Sequence, residues 1–214
     1  MYALLSLLAL GFAFGVRHAF DADHVVAVTA IVSRHRSARR AAAVGILWGI
    51  GHTATIVAVG GAIILFSVAI PPRVGLGMEF SVAVMLVGLG LWNLVVRPRA
   101  ADAPSPSRPV LVGMVHGLAG SAAVALLVVG AVDQPGWAVA YLAVFGGGTV
   151  LGMLLVTMAL AVPTAWAAGH HAGRWERPIR LAAGALSVVF GLALAHDVGI
   201  TQGLFTADPH WSPR

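Results

Sequence analysis

Cysteine is absent from the 214 residues. That excludes disulfide scaffolds, thiolate metal sites and thiol electron relays, so any metal must bind through nitrogen and oxygen. Charge is scarce as well, with 10% of residues charged against 59% hydrophobic. A chain so poor in charge cannot cover a water-soluble surface and reads as a polytopic membrane protein. Lysine is missing, so all 13 basic residues are arginine. The net charge of +5 would suit a nucleic-acid partner, but the arginines gather in short links between apolar stretches, where they signal topology instead. No nucleotide-binding motif is present, which argues against a self-contained pump. The apolar N-terminus lacks the basic region of a cleavable signal peptide, so the first stretch is read as a retained span.

Six apolar stretches are long enough to cross a bilayer, given that about 20 residues span the hydrocarbon core. They cover residues 2–32, 41–70, 80–96, 110–132, 137–167 and 179–200. The first would extend on the order of 46 Å at about 1.5 Å per residue, so a break or kink is expected near its polar centre. Arg34, Arg36, Arg39 and Arg40 follow the first stretch, Arg97, Arg99 and Arg108 the third, and Arg174, Arg177 and Arg180 the fifth. The other side holds only Arg73 and Arg214. The positive-inside rule then places these three links in the cytoplasm and both termini outside. The expected fold is an all-α integral membrane protein with six transmembrane helices in a single transmembrane domain over 1–214. Its parts are a first half (1–97), a cytoplasmic Pro-, Ser- and Ala-rich linker (98–109), a second half (110–200) and a tail (201–214).

The halves resemble each other weakly. Val16-Arg17-His18-Ala19 corresponds to Met114-Val115-His116-Gly117, Gly49-Ile50-Gly51-His52-Thr53 to Gly146-Gly147-Gly148-Thr149, and Gly88-Leu89-Gly90-Leu91-Trp92-Asn93 to Gly191-Leu192-Ala193-Leu194-Ala195-His196. With three spans in each half the copies enter the membrane from opposite sides. That is a 3+3 inverted-topology repeat, an architecture that builds midplane sites and alternating access. The pairs Gly45/Gly49, Gly113/Gly117 and Gly148/Gly152 read as helix-packing contacts.

Five ionisable groups interrupt the first stretch, in Arg17-His18-Ala19-Phe20-Asp21-Ala22-Asp23-His24. A charged side chain near the bilayer centre costs about 2.5–3.5 kcal/mol on insertion scales, so such residues face a cavity, pair with each other or hold an ion. On an ideal helix His18, Asp21 and His24 lie within an arc of about 120°, whereas Asp23 falls about 140° from His18 and joins that face only if the helix unwinds. The bland alternative pairs Arg17 with Asp21 at i, i+4, but it leaves a further aspartate and two histidines unexplained. His52 lies at a similar depth in the second stretch, between glycines that admit a close backbone. His116 and Ser121 are the polar points of the fourth. Asn93, His196 and Asp197 stand close to span ends, where polar groups reach water, while His170, His171 and His210 read as solvated. Imidazole and carboxylate ligands without sulfur suit nickel, cobalt, zinc, manganese or iron, with nickel and cobalt held better than manganese or iron.

The octapeptide at 17–24 resembles the H-x4-D-H signature of the nickel/cobalt transporter family NiCoT, within the wider NicO group, and Gly51-His52-Thr53 resembles that family's second, glycine-histidine motif. The short six-span form, with His116-Gly117-Leu118-Ala119-Gly120-Ser121, is similar to the UreH-type branch. The resemblance is strong over residues 1–60 and weak beyond. It implies that His18, Asp23 and His24 handle the metal with support from His52, and that the cargo is Ni²⁺ or Co²⁺.

The reading is a secondary transporter of a divalent transition-metal ion through a midplane site of His18, Asp21, Asp23, His24 and His52, with His116 and Ser121 as second-half contributors. No tightly bound cofactor is expected and the chain is not read as an enzyme. The partners implied are the metal ion and the bilayer, not nucleic acid; a homo-oligomer or a metal-enzyme maturation partner is left open. The expected location is a bacterial plasma membrane. Two rivals remain at this point. One is an accessory or sensor protein that binds metal without moving it. The other is a rhomboid-like intramembrane protease using Ser121 and His196, which requires those side chains within hydrogen-bond reach.

Overall fold

The computed structural model describes residues 2–34, 37–96, 106–129, 132, 134–170 and 176–211, except for the side chains of 2–4, 121–129 and 164–170. Each apolar stretch folds as helix. Helix α1 (Tyr2–His18) and α2 (Ala22–Val32) share the first stretch, and α3 (Ala38–Thr55) continues through one π turn at Ile56–Gly60 into α4 (Gly61–Phe66). They are followed by α5 (Pro72–Val95), α6 (Ser107–Val129), α7 (Pro135–His170) and α8 (Glu176–His196), whose last turn, Asp197–Thr201, is again π-helical. Among the described residues, four helical segments are long and apolar enough to cross a membrane by length and composition, and the α1/α2 pair makes a fifth. The faces turned outward carry large apolar side chains such as Leu10, Phe14, Val84, Leu111, Leu155 and Val189, as a lipid-facing surface should.

The break expected in the first stretch is present. Phe20 N–H donates to the Arg17 carbonyl (2.9 Å) and Asp21 N–H to the His18 carbonyl (3.1 Å), which closes α1. Asp21 then takes an extended conformation (φ −61°, ψ 147°) and its carbonyl accepts the first bond of α2 from Val25 N–H. Aspartate favours such helix ends because its short side chain competes with the helical backbone for hydrogen bonds. The two halves of the broken helix meet at 54°.

Helix packing runs through small residues, as bilayer helices require when no hydrophobic drive separates them from lipid. A Cβ on Gly51 would strike the Val110 carbonyl, and one on Gly113 the Trp48 carbonyl, so α3 and α6 touch backbone to backbone. On the opposite flank a Cβ on Gly148 would strike the Phe12 carbonyl and one on Gly15 the Phe145 carbonyl, which joins α1 to α7 in the same manner. Gly45 and Gly49 complete the α3–α7 contact against Met153, Thr157 and Val150. Two apolar clusters result. One lies around Val28, Trp48, Leu86 and Met153, and the other around Ile56, Leu142 and Phe145.

One span-end expectation changes. Asn93 is buried rather than solvated; its amide donates to the Ala30 carbonyl and to Ser33 Oγ (3.3 Å), and its Oδ1 accepts from Arg34 (3.3 Å). Arg180 donates to the Asn93 carbonyl. Asn93 therefore ties the ends of α2 and α5 to the start of α8, because the two C-terminal ends leave carbonyls without helical partners and the Asn93 amide and the Arg180 guanidinium supply donors to them. The tail after Thr201 turns back at Gly203 (φ +85°) onto α5. Trp211 Nε1 donates to Glu79 Oε1 (2.9 Å), Phe205 meets Phe80 edge to face, and the Trp211 ring lies against Gly75, where only glycine leaves room. His196 is exposed, as is His210; the side chain of Ser121, His170 and His171 lie outside the described residues.

Candidate metal site

Four imidazoles and a carboxylate converge at the break. His18 comes from the last turn of α1, Asp23 and His24 from the first turn of α2, His52 from α3 and His116 from α6. His24 is central, with ring centroids 4.7 Å from His18, 5.1 Å from His52 and 4.1 Å from His116. Trp48 stacks on His24 from one cluster of the core and Phe145 meets His18 from the other. The Gly120 backbone closes a further wall, since a Cβ there would stand 3.5 Å from His18 Nε2.

The bonding pattern aims ring nitrogens at common points. His18 Nδ1 bonds Asp21 Oδ2 (2.8 Å), which turns its Nε2 toward His52 Nε2 at 3.2 Å. Two nitrogen ligands about 2.0–2.1 Å from one metal stand about 3.0–3.4 Å apart, depending on the coordination angle. His24 Nδ1 bonds Asp23 Oδ1 (3.0 Å), and the same oxygen accepts the His24 backbone N–H (2.9 Å). Asp23 Oδ2 reaches His116 Nε2 at 2.9 Å. Metal-binding histidines commonly donate their other ring N–H to a carboxylate, which fixes the tautomer and the ring orientation. His18, His24 and His116 all have that partner. His24 Nε2, His52 Nδ1 and His116 Nδ1 are buried with no hydrogen-bond partner, an arrangement that is costly unless something else engages them. Two groups place three ligand atoms within 4.8 Å of one another: His18, His24 and His52, and Asp23, His24 and His116.

The break decides which carboxylate does what. Because the helix is interrupted before Asp23, that residue faces His24 and His116 instead of pointing away. Asp21, placed by helical spacing on the ligand face, lies outside both three-ligand groups. It is half exposed (54%) and holds His18 rather than Arg17. Trp48 and Gly120 gave no signal in the sequence that would have marked them as walls of the site. The spacing of Gly113 and Gly117 was the one available hint that α6, and with it His116, comes close.

These features define a helical integral membrane protein with a buried histidine–carboxylate cluster whose donor geometry could hold a metal ion. The chain belongs to the NicO family. The family described as NicO, high-affinity nickel-transport protein, matches residues 4–97. The chain is 34% identical to the urease accessory protein UreH of Bacillus sp. (strain TB-90) over 221 residues, covering 94% of this chain and 96% of that protein. No solved structure gives a significant match.

Proposed function

We propose that the chain is a secondary transporter that carries Ni²⁺, with Co²⁺ as the alternative cargo, into a bacterial cell through a midplane site built from His18, Asp23, His24, His52 and His116. The observation that carries this reading is the convergence of four imidazoles and a carboxylate at a helix break, with buried ring nitrogens that no protein group engages. A structural metal has no need of a site where a membrane helix is broken, whereas a permeant ion gains from one, because discontinuous helices expose backbone ends and a hydrated approach at the midplane. The negative pole at the end of α1 favours a cation, and Asp23 offsets the positive pole of α2. Nickel is preferred over cobalt because the family description names it and imidazole-rich sites follow the same order. From the name of the UreH relative we carry over only the idea that the cargo serves the maturation of an enzyme.

The six-span, 3+3 inverted architecture is part of the proposal. Its support is the repetition of backbone contacts at constant spacing along the chain. Gly51 on Val110 is matched by Gly148 on Phe12, and Gly113 on Trp48 by Gly15 on Phe145. By that correspondence His116 is the counterpart of His18, and Thr149 that of His52. The arginine distribution supports termini on the outer side.

The test is accumulation of radioactive nickel by cells expressing the full chain or His24→Ala at matched membrane levels. Accumulation in the variant should fall to that of cells without the protein. Undiminished accumulation would overturn the reading, and metal bound by the purified protein without His24-dependent flux would leave a binding protein in place of a carrier.

A further inference from the structure

We propose that the cluster is two overlapping ion positions, that one divalent ion occupies them in turn, and that His24 is the ligand retained while the others are exchanged. The inference rests on the reading of the site as a transport site and specifies how the ion moves within it. The two three-ligand groups share His24 alone: His18 and His52 complete the first, Asp23 and His116 the second. His24 is the ring closest to the others, while the rings of His52 and His116 are 6.1 Å apart.

The chemistry of His24 makes the positions exclusive. Its Nδ1 is bound to Asp23 Oδ1, a carboxylate that only accepts, so Nδ1 carries the proton and Nε2 keeps the single free lone pair. Nε2 is buried and has no protein partner. One lone pair serves one ion, and filling either position denies His24 to the other. Each position supplies three protein ligands and leaves coordination sites open, so incoming ligands can add before outgoing ones leave. Passage requires such sites, favourable enough to enter and weak enough to leave.

The positions also differ in charge and in the elements that build them. The first offers three neutral imidazoles, from the end of α1, the start of α2 and α3. The second adds the Asp23 carboxylate and needs α6. An ion moving from the first to the second trades two imidazoles for one imidazole and a carboxylate, and so gains a counter-charge. Asp23 is able to take that part because its two oxygens already divide between His24 and His116.

The test is Co²⁺ titration of the purified full-length protein in detergent, followed by equilibrium dialysis and by the visible d–d absorption of the bound ion, together with nickel uptake by cells. The wild-type protein should saturate at a single Co²⁺ per chain. His52→Ala and His116→Ala should each still bind one, with spectra that differ from each other, and each should lose uptake by roughly tenfold or more, the scale on which metal sites respond to lost support. His116→Gln, run beside His116→Ala with gel filtration of both, separates loss of the ligand from loss of the fold. Two Co²⁺ bound at once would overturn the proposal, as would a His116→Ala protein with wild-type spectrum and uptake, or complete loss of binding in both single variants while the wild-type stoichiometry is intact. Metal binding and uptake that survive His24→Ala would instead remove the transport site itself, a distinct outcome.

Discussion

Two helix pairs in this protein, α3 with α6 and α1 with α7, share one kind of backbone contact and differ in what they bring to the histidine cluster. Gly51 and Gly113 seat α3 against α6, and Gly148 and Gly15 seat α7 against α1, in both cases with glycine facing a carbonyl. Yet where α3 presents His52 to the site, the corresponding position of α7 is Thr149, whose hydroxyl donates to its own helix at the Phe145 carbonyl (3.1 Å). The α3–α6 pair brings both His52 and His116 to the cluster, while the α1–α7 pair brings His18 alone among the described residues. Backbone fit is thus symmetric and ligation is not. Close packing constrains both helix pairs alike, whereas one ligand cluster needs donors from only some of the helices around it.

The comparison can be broken at the ligand positions first. His52→Ala should weaken Co²⁺ binding by on the order of 10–100-fold in equilibrium dialysis, whereas Thr149→Ala should leave affinity within about twofold. Equal losses would mean that the second half ligates as strongly as the first. Packing comes next. Gly51→Leu and Gly148→Leu each drive a side chain into a carbonyl, and overpacking costs about 1–3 kcal/mol or more. Both should lower the thermal midpoint in detergent by similar amounts, and a tolerant Gly148→Leu would show that the α1–α7 contact does not copy α3–α6.

Smaller effects sharpen the picture. Asp21→Asn keeps a hydrogen-bond partner for His18 but removes the charge that sets its tautomer, so metal affinity should fall by roughly tenfold with protein stability unchanged. If Asp21 were itself a ligand, the visible spectrum of bound Co²⁺ would change as well. Acid should release the ion, because only neutral imidazole binds metal and each histidine ligand that takes up a proton is lost. Affinity measured by dialysis should therefore decline on acidification, and an affinity that stays flat for as long as the protein remains folded would contradict histidine ligation.

Much of the fold was legible because lipid imposes one rule on all spans: backbone groups must be satisfied within the segment, so long apolar stretches become helices. The break in the first stretch was legible from its excess length and polar centre, and the packing glycines from their spacing. Site membership was less so. Helical spacing grouped Asp21 with His18 and His24 and set Asp23 apart, an inference that assumes an unbroken helix. The 54° bend reverses the two aspartates. Asn93 was misread because its nearness to a span end says nothing about which other helix ends arrive beside it; in the fold it is 1% exposed and joins two of them to its own. Glu79 and Trp211, whose bond holds the tail to α5, lie too far apart in the chain for any local pattern to connect them.

Composition and order of residues alone were enough to establish a helical membrane protein with ionisable groups inside an apolar stretch, since the energetics of transfer into lipid depend on each segment separately. Folding in three dimensions decided that Asp23 and not Asp21 turns inward, that His116 arrives from the far half, and that His24 belongs to two ligand groups at once. Those outcomes depend on the angle at one break and on backbone contacts between helices distant in the chain, and coordination is a matter of where atoms meet.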